Sequence, residues 1–259
     1  LQWMDDLRRN GLLVPRPIAT ADGRVLVALD ADRTHHADLI DWVDGVQIGD
    51  SGTPLTYDEA RLATLFRSIG AAMARMHAIA DRWSPPVGFQ RSRWDADGLL
   101  GEAPVWGRFW DCEALSPNDR GFLTSLRQDL RAKLTAASRD LDFGLIHADL
   151  VRENVFVSGE CIAFIDFDDC GFGWRLFDIA TTLLRNRREP HYRRIEASLL
   201  AGYRSQRPLG EAALSHLPLF LLLRSLTYVG WVGDRPELPD APQRMARYVG
   251  EVRELADAL

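Results

Sequence analysis

The sequence predicts an α+β protein with short strands and a second half that is mostly helical. Three observations carry this. Apolar residues recur at helical spacing in long tracts, as in Leu62, Leu65, Phe66, Ile69, Met73 and Met76. Between residues 143 and 167 the period changes to short β runs: Gly144–His147, Asn154–Val157 and Cys161–Ile165. Before the first long helix, Asp22-Gly23 and Asp44-Gly45 punctuate brief extended runs, which is the chemistry of tight turns.

Each element follows in order. Leu1 to Asn10 reads as the end of a helix stopped by Asn10-Gly11. Ile18 to Leu29 reads as two short strands around Asp22-Gly23, and Ala37 to Val43 as another extended run. Gly49 to Pro54 is a turn-rich linker. Thr56 with Glu59 three residues later forms a capping box, placing a helix start there. Ser116-Pro117 opens a second helix, with Phe122, Leu126 and Leu130 as its inner stripe. Helical tracts around 174–186, 191–206, 210–231 and 240–258 complete the chain.

Composition narrows the function classes. The 259 residues are 46% apolar and 26% charged, a globular balance. A formal charge of −6 argues against coating nucleic acid. The arginines around Tyr192 (Arg185, Arg187, Arg188, Arg193, Arg194) read as a solvated surface rather than an anion patch. Lys133 is the sole lysine, so no mechanism can use one elsewhere in this chain. Cys112, Cys161 and Cys170 form no CxxC pair, which fits reduced thiols in a cytoplasmic protein. The apolar stretch Ala212–Val232 is interrupted by His216, Pro218 and Arg224, so it reads as a buried core helix, with no membrane role.

The acids are not spread evenly. From Asp142 to Asp178 there are eight acids against two bases, an excess equal to the net charge of the whole chain. Phe164-Ile165 runs straight into Asp166, and Leu145-Ile146 into His147 and Asp149. Carboxylates directly after apolar strands are costly unless a cation or hydrogen bonds compensate them, and oxygen donors converging at strand ends suit Mg²⁺. The order of residues adds to this. His147-Ala148-Asp149-Leu150-Val151-Arg152-Glu153-Asn154 has the H-x-D-x-x-x-x-N spacing of a kinase catalytic loop, and Asp166-Phe167-Asp168 follows where kinases carry Asp-Phe-Gly. Phosphoryl transfer needs a carboxylate to orient the attacking hydroxyl and oxygen ligands for the ion on the nucleotide phosphates.

At these residues the sequence resembles the aminoglycoside phosphotransferase/choline kinase-like family, whose signature is close to H-G-D-x-x-x-x-N followed by I-D-[FWY]. Phe177-Asp178-Ile179-Ala180 agrees as well, and Trp94-Asp95 through Trp106-Gly107 looks like the branch holding homoserine kinase type II and stress-response kinases. The resemblance implies a protein-kinase-like fold: residues 1–43 as the remnant of an N-terminal β lobe, and 44–259 as a helical C-terminal lobe carrying the catalytic loop and metal-binding hairpin. It implies Asp149 as catalytic base, Asn154 and Asp166 as Mg²⁺ ligands, and ATP as phosphate donor. His147 and Asp178 would support the catalytic loop, Asp168 would touch metal or substrate, and the Asp41 carbonyl and Val43 amide would read the adenine edge. The implied partner is a small-molecule hydroxyl acceptor of aminoglycoside, homoserine or amino-alcohol type.

Departures from the family pattern matter too. No G-x-x-x-x-G-K loop is present, and Lys133 lies far downstream of where the family's strand lysine stands. Leu1–Asn10 resembles the latter part of the helix that normally carries the lysine's glutamate partner, so the expectation is a chain whose first strands precede Leu1. Val151 replaces the lysine that protein kinases place two residues after the catalytic Asp, and no Ala-Pro-Glu follows, which favours a small-molecule acceptor. The alternatives are a pseudokinase or nucleotide-binding module, and a protein Ser/Thr kinase of the stress-response type. A haloacid-dehalogenase-like reading of Asp166-Phe167-Asp168 is weakened by Cys170, which stands where that family wants a hydroxyl residue.

Overall fold

Local capping chemistry decides where the helices begin. In the computed structural model, which describes residues 1–32 and 34–259, α1 spans Gln2–Arg9 and three two-residue strands follow: β1 (Val27–Ala28), β2 (His36–Ala37) and β3 (Val46–Gln47). The long helix α2 (Glu59–Arg82) is capped by Asp58, whose side chain accepts the Arg61 N–H at 2.7 Å. The expected cap, Thr56, lies two residues too early, because the residue adjacent to the first helical position must supply the acceptor. Then come β4 (Arg93–Trp94), α3 (Ala96–Leu100) and α4 (Pro117–Ala137). Ser116 caps α4 through the Asp119 N–H, with Pro117 at the first position as expected. The buried stripe of α4 is Leu123, Leu130 and Leu134, so the expected Phe122 and Leu126 sit at its margin.

The β region comprises β5 (Phe143–Ile146), β6 (Val155–Ser158), β7 (Cys161–Phe164) and β8 (Gly171–Trp174). The chain ends in α5 (Arg175–Leu184), α6 (Tyr192–Arg204), α7 (Glu211–Leu214), α8 (Leu217–Gly233) and α9 (Ala241–Ala256). Pro218, in the first turn of α8, separates α7 from α8 within the tract read as one helix.

The chain divides into two compact units. The first holds Leu1–Phe89, Asp149–Asp168 and Arg188–Pro208. Here α2 packs on α6, backbone against backbone. A Cβ on Gly70 would strike the Leu199 carbonyl, and one on Gly202 the Arg67 carbonyl. His77, fully buried on α2, shares a 2.9 Å hydrogen bond with the Tyr203 hydroxyl of α6. β3, β6 and β7 form an antiparallel sheet, with Val46 opposite Val157 and Val155 opposite Phe164. The Asp22-Gly23 turn forms, closed by Thr20 N–H to the Arg24 carbonyl at 2.8 Å with Gly23 at φ 84°. It does not join two paired strands, however; β1 pairs with β2 instead.

The second unit holds Gln90–Ala148, Asp169–Arg187 and Leu209–Leu259. Its sheet has the order β4-β8-β5, parallel then antiparallel. Sequence reading found no strand at Gly171-Phe172-Gly173, yet β8 is the central one. Glycine is required because a Cβ at Gly171 would meet the Ser92 carbonyl and one at Gly173 would meet Ile146 and Trp94. α5 and α9 cover α8, whose residues from Leu219 to Gly230 are all buried. By length and apolarity Glu211–Gly233 could cross a membrane, but 67% of that window is buried inside the protein.

Candidate active site

The loop after β5 is shaped before any side chain acts. Ala148 adopts φ 68° and Asp166 φ 62°, the two non-glycine residues in left-handed backbone among the described residues. That conformation costs an L-residue about 1–2 kcal/mol, so it persists only where surrounding bonds impose it. Both lie in the segments where sequence places the chemistry.

Within the first unit, three of the expected site residues are built by short-range bonds. The Val151 N–H donates to the Asp149 carbonyl at 2.8 Å, and Arg152–Asn154 form one turn of 3₁₀ helix. That turn brings Asn154 back onto Asp149. Its Nδ2 donates to the Asp149 carbonyl at 2.9 Å and to Asp149 Oδ2 at 3.0 Å. The Ile165 N–H then donates to the Asn154 carbonyl at 3.0 Å, extending the β6–β7 ladder to the residue before Asp166. Asp149, Asn154 and Asp166 are thus set along one continuous hydrogen-bonded path. Asp166 and Asp168 are exposed, and Phe167 between them is buried with its ring edge-on to Trp3 of α1 at 5.4 Å. This apolar anchor turns the two flanking carboxylates outward.

Asp41 and Val43 also lie in this unit, in the extended segment before β3. The Asp41 carboxylate accepts the Arg16 N–H at 2.5 Å and the Val43 side chain is buried, so what this segment offers is backbone.

The turn read as a linker, residues 49–54, is laced to the loop that follows Asp149. Buried Arg152 pairs with buried Glu189 and donates to the Thr53 carbonyl at 2.6 Å. Glu189 accepts the Leu55 N–H at 3.3 Å, and Ser51 donates to Glu153 at 3.0 Å. Sequence reading passed over Arg152 and Glu189; an ion pair separated by 37 residues leaves no local pattern.

His147 and Asp178 lie in the second unit, both fully buried. Asp178, in the first turn of α5, accepts the His147 N–H at 3.0 Å and the Ala148 N–H at 2.7 Å. One carboxylate therefore holds two successive peptide groups on the approach to Asp149. Arg224 of α8, noted in the sequence only as a break in an apolar run, is also fully buried and donates to the Ala148 carbonyl at 3.2 Å. The signal was available: a lone guanidinium in an apolar helix must find acceptors.

Oxygen donors at Asn154 and Asp166 match a hard cation. Among the described residues no group of three or more His, Cys, Asp or Glu could hold a metal. Mg²⁺ shared with nucleotide phosphates needs only one or two protein ligands, so the donor set fits such an ion.

Comparison with known proteins decides the family. The model of the phosphotransferase enzyme family matches residues 1–213. The chain belongs to that family. A homoserine kinase of Agrobacterium fabrum is 30% identical over 225 residues, covering 85% of this chain and 63% of that protein. The chain thus spans about two thirds of the length of such curated relatives. Among solved structures, a microcompartment-associated aminopropanol kinase is 31% identical with a TM-score of 0.78, covering 96% of this chain and 76% of that one. An amicoumacin kinase complex with AMP-PNP and Ca²⁺, 24% identical with a TM-score of 0.75 over 98% of this chain and 75% of that one, shares the fold. The protein-kinase-like α+β fold of these phosphotransferases is therefore this chain's fold, and the dehalogenase-like reading falls.

Proposed function

We propose that this phosphotransferase-family protein moves the γ-phosphate of ATP to the hydroxyl of a small amino alcohol, of the homoserine or aminopropanol kind. The observation that carries the reading is the pair of Asn154 bonds to Asp149, which fixes a carboxylate beside an amide oxygen and leads directly to Asp166. Two of the relatives at 30% identity or above are named for kinases of such acceptors.

In this reading the Asp149 carboxylate accepts a hydrogen bond from the acceptor hydroxyl and takes its proton as the new O–P bond forms and the bond to the ADP oxygen breaks. Asn154 keeps that carboxylate in one rotamer, so orientation is set before substrate arrives. Asn154 and Asp166 would hold Mg²⁺, whose chemistry there is to neutralise charge on the phosphates. The Asp41 carbonyl and Val43 N–H would meet the adenine edge through backbone. Asp168, exposed next to Phe167, would face metal or the amine of the acceptor; His147 and Asp178 would support the backbone just before Asp149.

The test is ADP release by the full-length protein with Mg²⁺-ATP against homoserine, aminopropanol, choline, an aminoglycoside and a generic protein. Release that depends on a small amino alcohol and disappears in Asp149→Asn supports the reading. Nucleotide binding without turnover on any acceptor would point to a pseudokinase, and phosphate on the protein substrate alone to the stress-response type.

A further inference from the structure

Asp178 accounts for two N–H groups of the loop, but not for the peptide group that actually joins Ala148 to Asp149. The carbonyl of that group is held by Arg224, a residue of α8 far downstream in sequence. We infer that Arg224 is a positioning residue for Asp149: its guanidinium, clamped in an aromatic box, fixes the plane of the Ala148–Asp149 peptide and hence the direction in which the Asp149 carboxylate leaves the backbone. The inference rests on the kinase reading for its catalytic consequence, not for its structural one.

The geometry of the clamp carries the argument. Arg224 Nη1 donates to the Ala148 carbonyl at 3.2 Å, while Nε and Nη2 both donate to the Tyr228 hydroxyl, at 3.1 and 2.8 Å. Tyr228 lies one helical turn further along α8, so the fork is braced by its own helix. The guanidinium carbon sits 4.4 Å from the Trp106 ring centroid, 4.5 Å from that of Tyr228 and 5.6 Å from that of Phe177. The box is rigid as well. Trp106 Nε1 donates to Asp169 Oδ1 and Trp94 Nε1 to the Asp169 carbonyl, both at 2.9 Å, and Trp94 stacks on Phe177. Tyr228 is covered by the Arg185 guanidinium at 3.6 Å and stacks on Tyr248.

A charge with no exposed surface is expensive, and an apolar side chain would fill this space at lower cost. What an apolar residue cannot do is donate to the Ala148 carbonyl. Lysine cannot replace the fork either, since one ammonium on a flexible stem cannot serve a carbonyl and a hydroxyl in fixed directions while lying flat between rings. The left-handed turn at Ala148 explains the need: with Asp178 on the N–H groups and Arg224 on the carbonyl, the backbone is held from both ends of the residue.

The experiment compares wild type, Arg224→Lys and Tyr228→Phe in the full-length protein by hydrogen–deuterium exchange and by steady-state kinetics. In Arg224→Lys the peptide spanning residues 147–152 should exchange at least 10-fold faster, with the β6–β7 hairpin unchanged. kcat, expressed per folded molecule with the folded fraction measured by circular dichroism, should fall at least 10-fold while both KM values stay within 2-fold, so that loss of folded protein is not counted as loss of catalysis. Tyr228→Phe removes only the brace and should show the same pattern at about 3-fold, so the test survives if the lysine variant does not fold. Unchanged loop exchange in the folded variants overturns the positioning role whether or not the protein turns over. A loosened loop with undiminished kcat overturns its catalytic consequence. A loosened loop in a protein that phosphorylates nothing upholds the positioning role and rejects the kinase reading instead.

Discussion

The carboxylate of Asp178 accepts the N–H of Ala148 at 2.7 Å, tying the first turn of α5 to the one residue that must turn left-handed before Asp149. With its second bond, to the His147 N–H at 3.0 Å, this buried group satisfies two donors that no strand partner reaches. Hydrogen bonds to a charged acceptor contribute roughly 1.5–3 kcal/mol each, and truncation would leave both N–H groups buried and unpaired. Asp178→Ala is therefore expected to destabilise the protein by about 3–5 kcal/mol, read by urea denaturation. Asp178→Asn should recover part of that through its one remaining acceptor. A loss under ~1 kcal/mol in the alanine variant would show that the loop holds its shape without the carboxylate.

The proposed function gives the first unit two kinds of site residue. Asp149→Asn would remove the proposed proton acceptor but keep the shape and the Asn154 contact, so on that reading kcat should drop by about 10³-fold with nucleotide affinity changed less than a few-fold. Asn154→Ala and Asp166→Asn should instead weaken Mg²⁺-dependent nucleotide binding by at least 10-fold, measured by calorimetry at several Mg²⁺ concentrations. Equal effects of all three substitutions on binding would reject the division of roles.

Close approach of α2 and α6 makes two glycines indispensable. The Cβ of an alanine at position 70 would collide with the Leu199 carbonyl, and one at 202 with the Arg67 carbonyl. Neither obstacle is a flexible side-chain end, so the helices must separate, exposing the buried His77–Tyr203 pair. Gly70→Ala should cost about 2–3 kcal/mol despite alanine's better helix propensity. Thermal unfolding of the variant checks this, and an unchanged or raised Tm would place the helices farther apart than the structure has them.

Legibility in the sequence followed the range of the interaction. The nearness of Asp149, Asn154 and the residue before Asp166 was legible because one loop and one hairpin join them, so spacing along the chain maps onto spacing in the fold. α2 and α4 were legible through their apolar period, with errors of a residue or two at the Thr56 cap and the Phe122 stripe. β8 was hidden because Gly171 and Gly173, which admit Ser92 and Ile146 close to the strand, erase the β-propensity signal. The pairing of β1 with β2 was missed because the strongest local turn lies elsewhere, at Asp22-Gly23. Arg152–Glu189 and Arg224–Ala148 join residues 37 and 76 positions apart, which no window along the chain reveals.

The cysteines supply a pH-dependent test of the second unit's packing. Burial pushes the Cys112 thiol up to about 11, and Asp234 adds to the shift. Its Sγ donates to the Arg108 and Val229 carbonyls and lies where a Cβ on Gly233 would have to sit, so nothing else fits there. Cys161, on β7, is exposed. With an alkylating reagent at pH 8, Cys161 should be modified quickly while Cys112 reacts at least 100-fold more slowly, because few molecules carry its thiolate and those are shielded. The folded protein keeps a proton that the unfolded chain releases near pH 9. The stability tied to this thiol is thus fully present below about pH 9 and is lost as pH rises toward 11. Cys112→Ala should flatten that part of the stability profile, although it also opens a small void beside Gly233. A wild-type profile with no fall between pH 9 and 11 beyond that of the variant would mean the thiol titrates normally and the packing around α8 is looser than described.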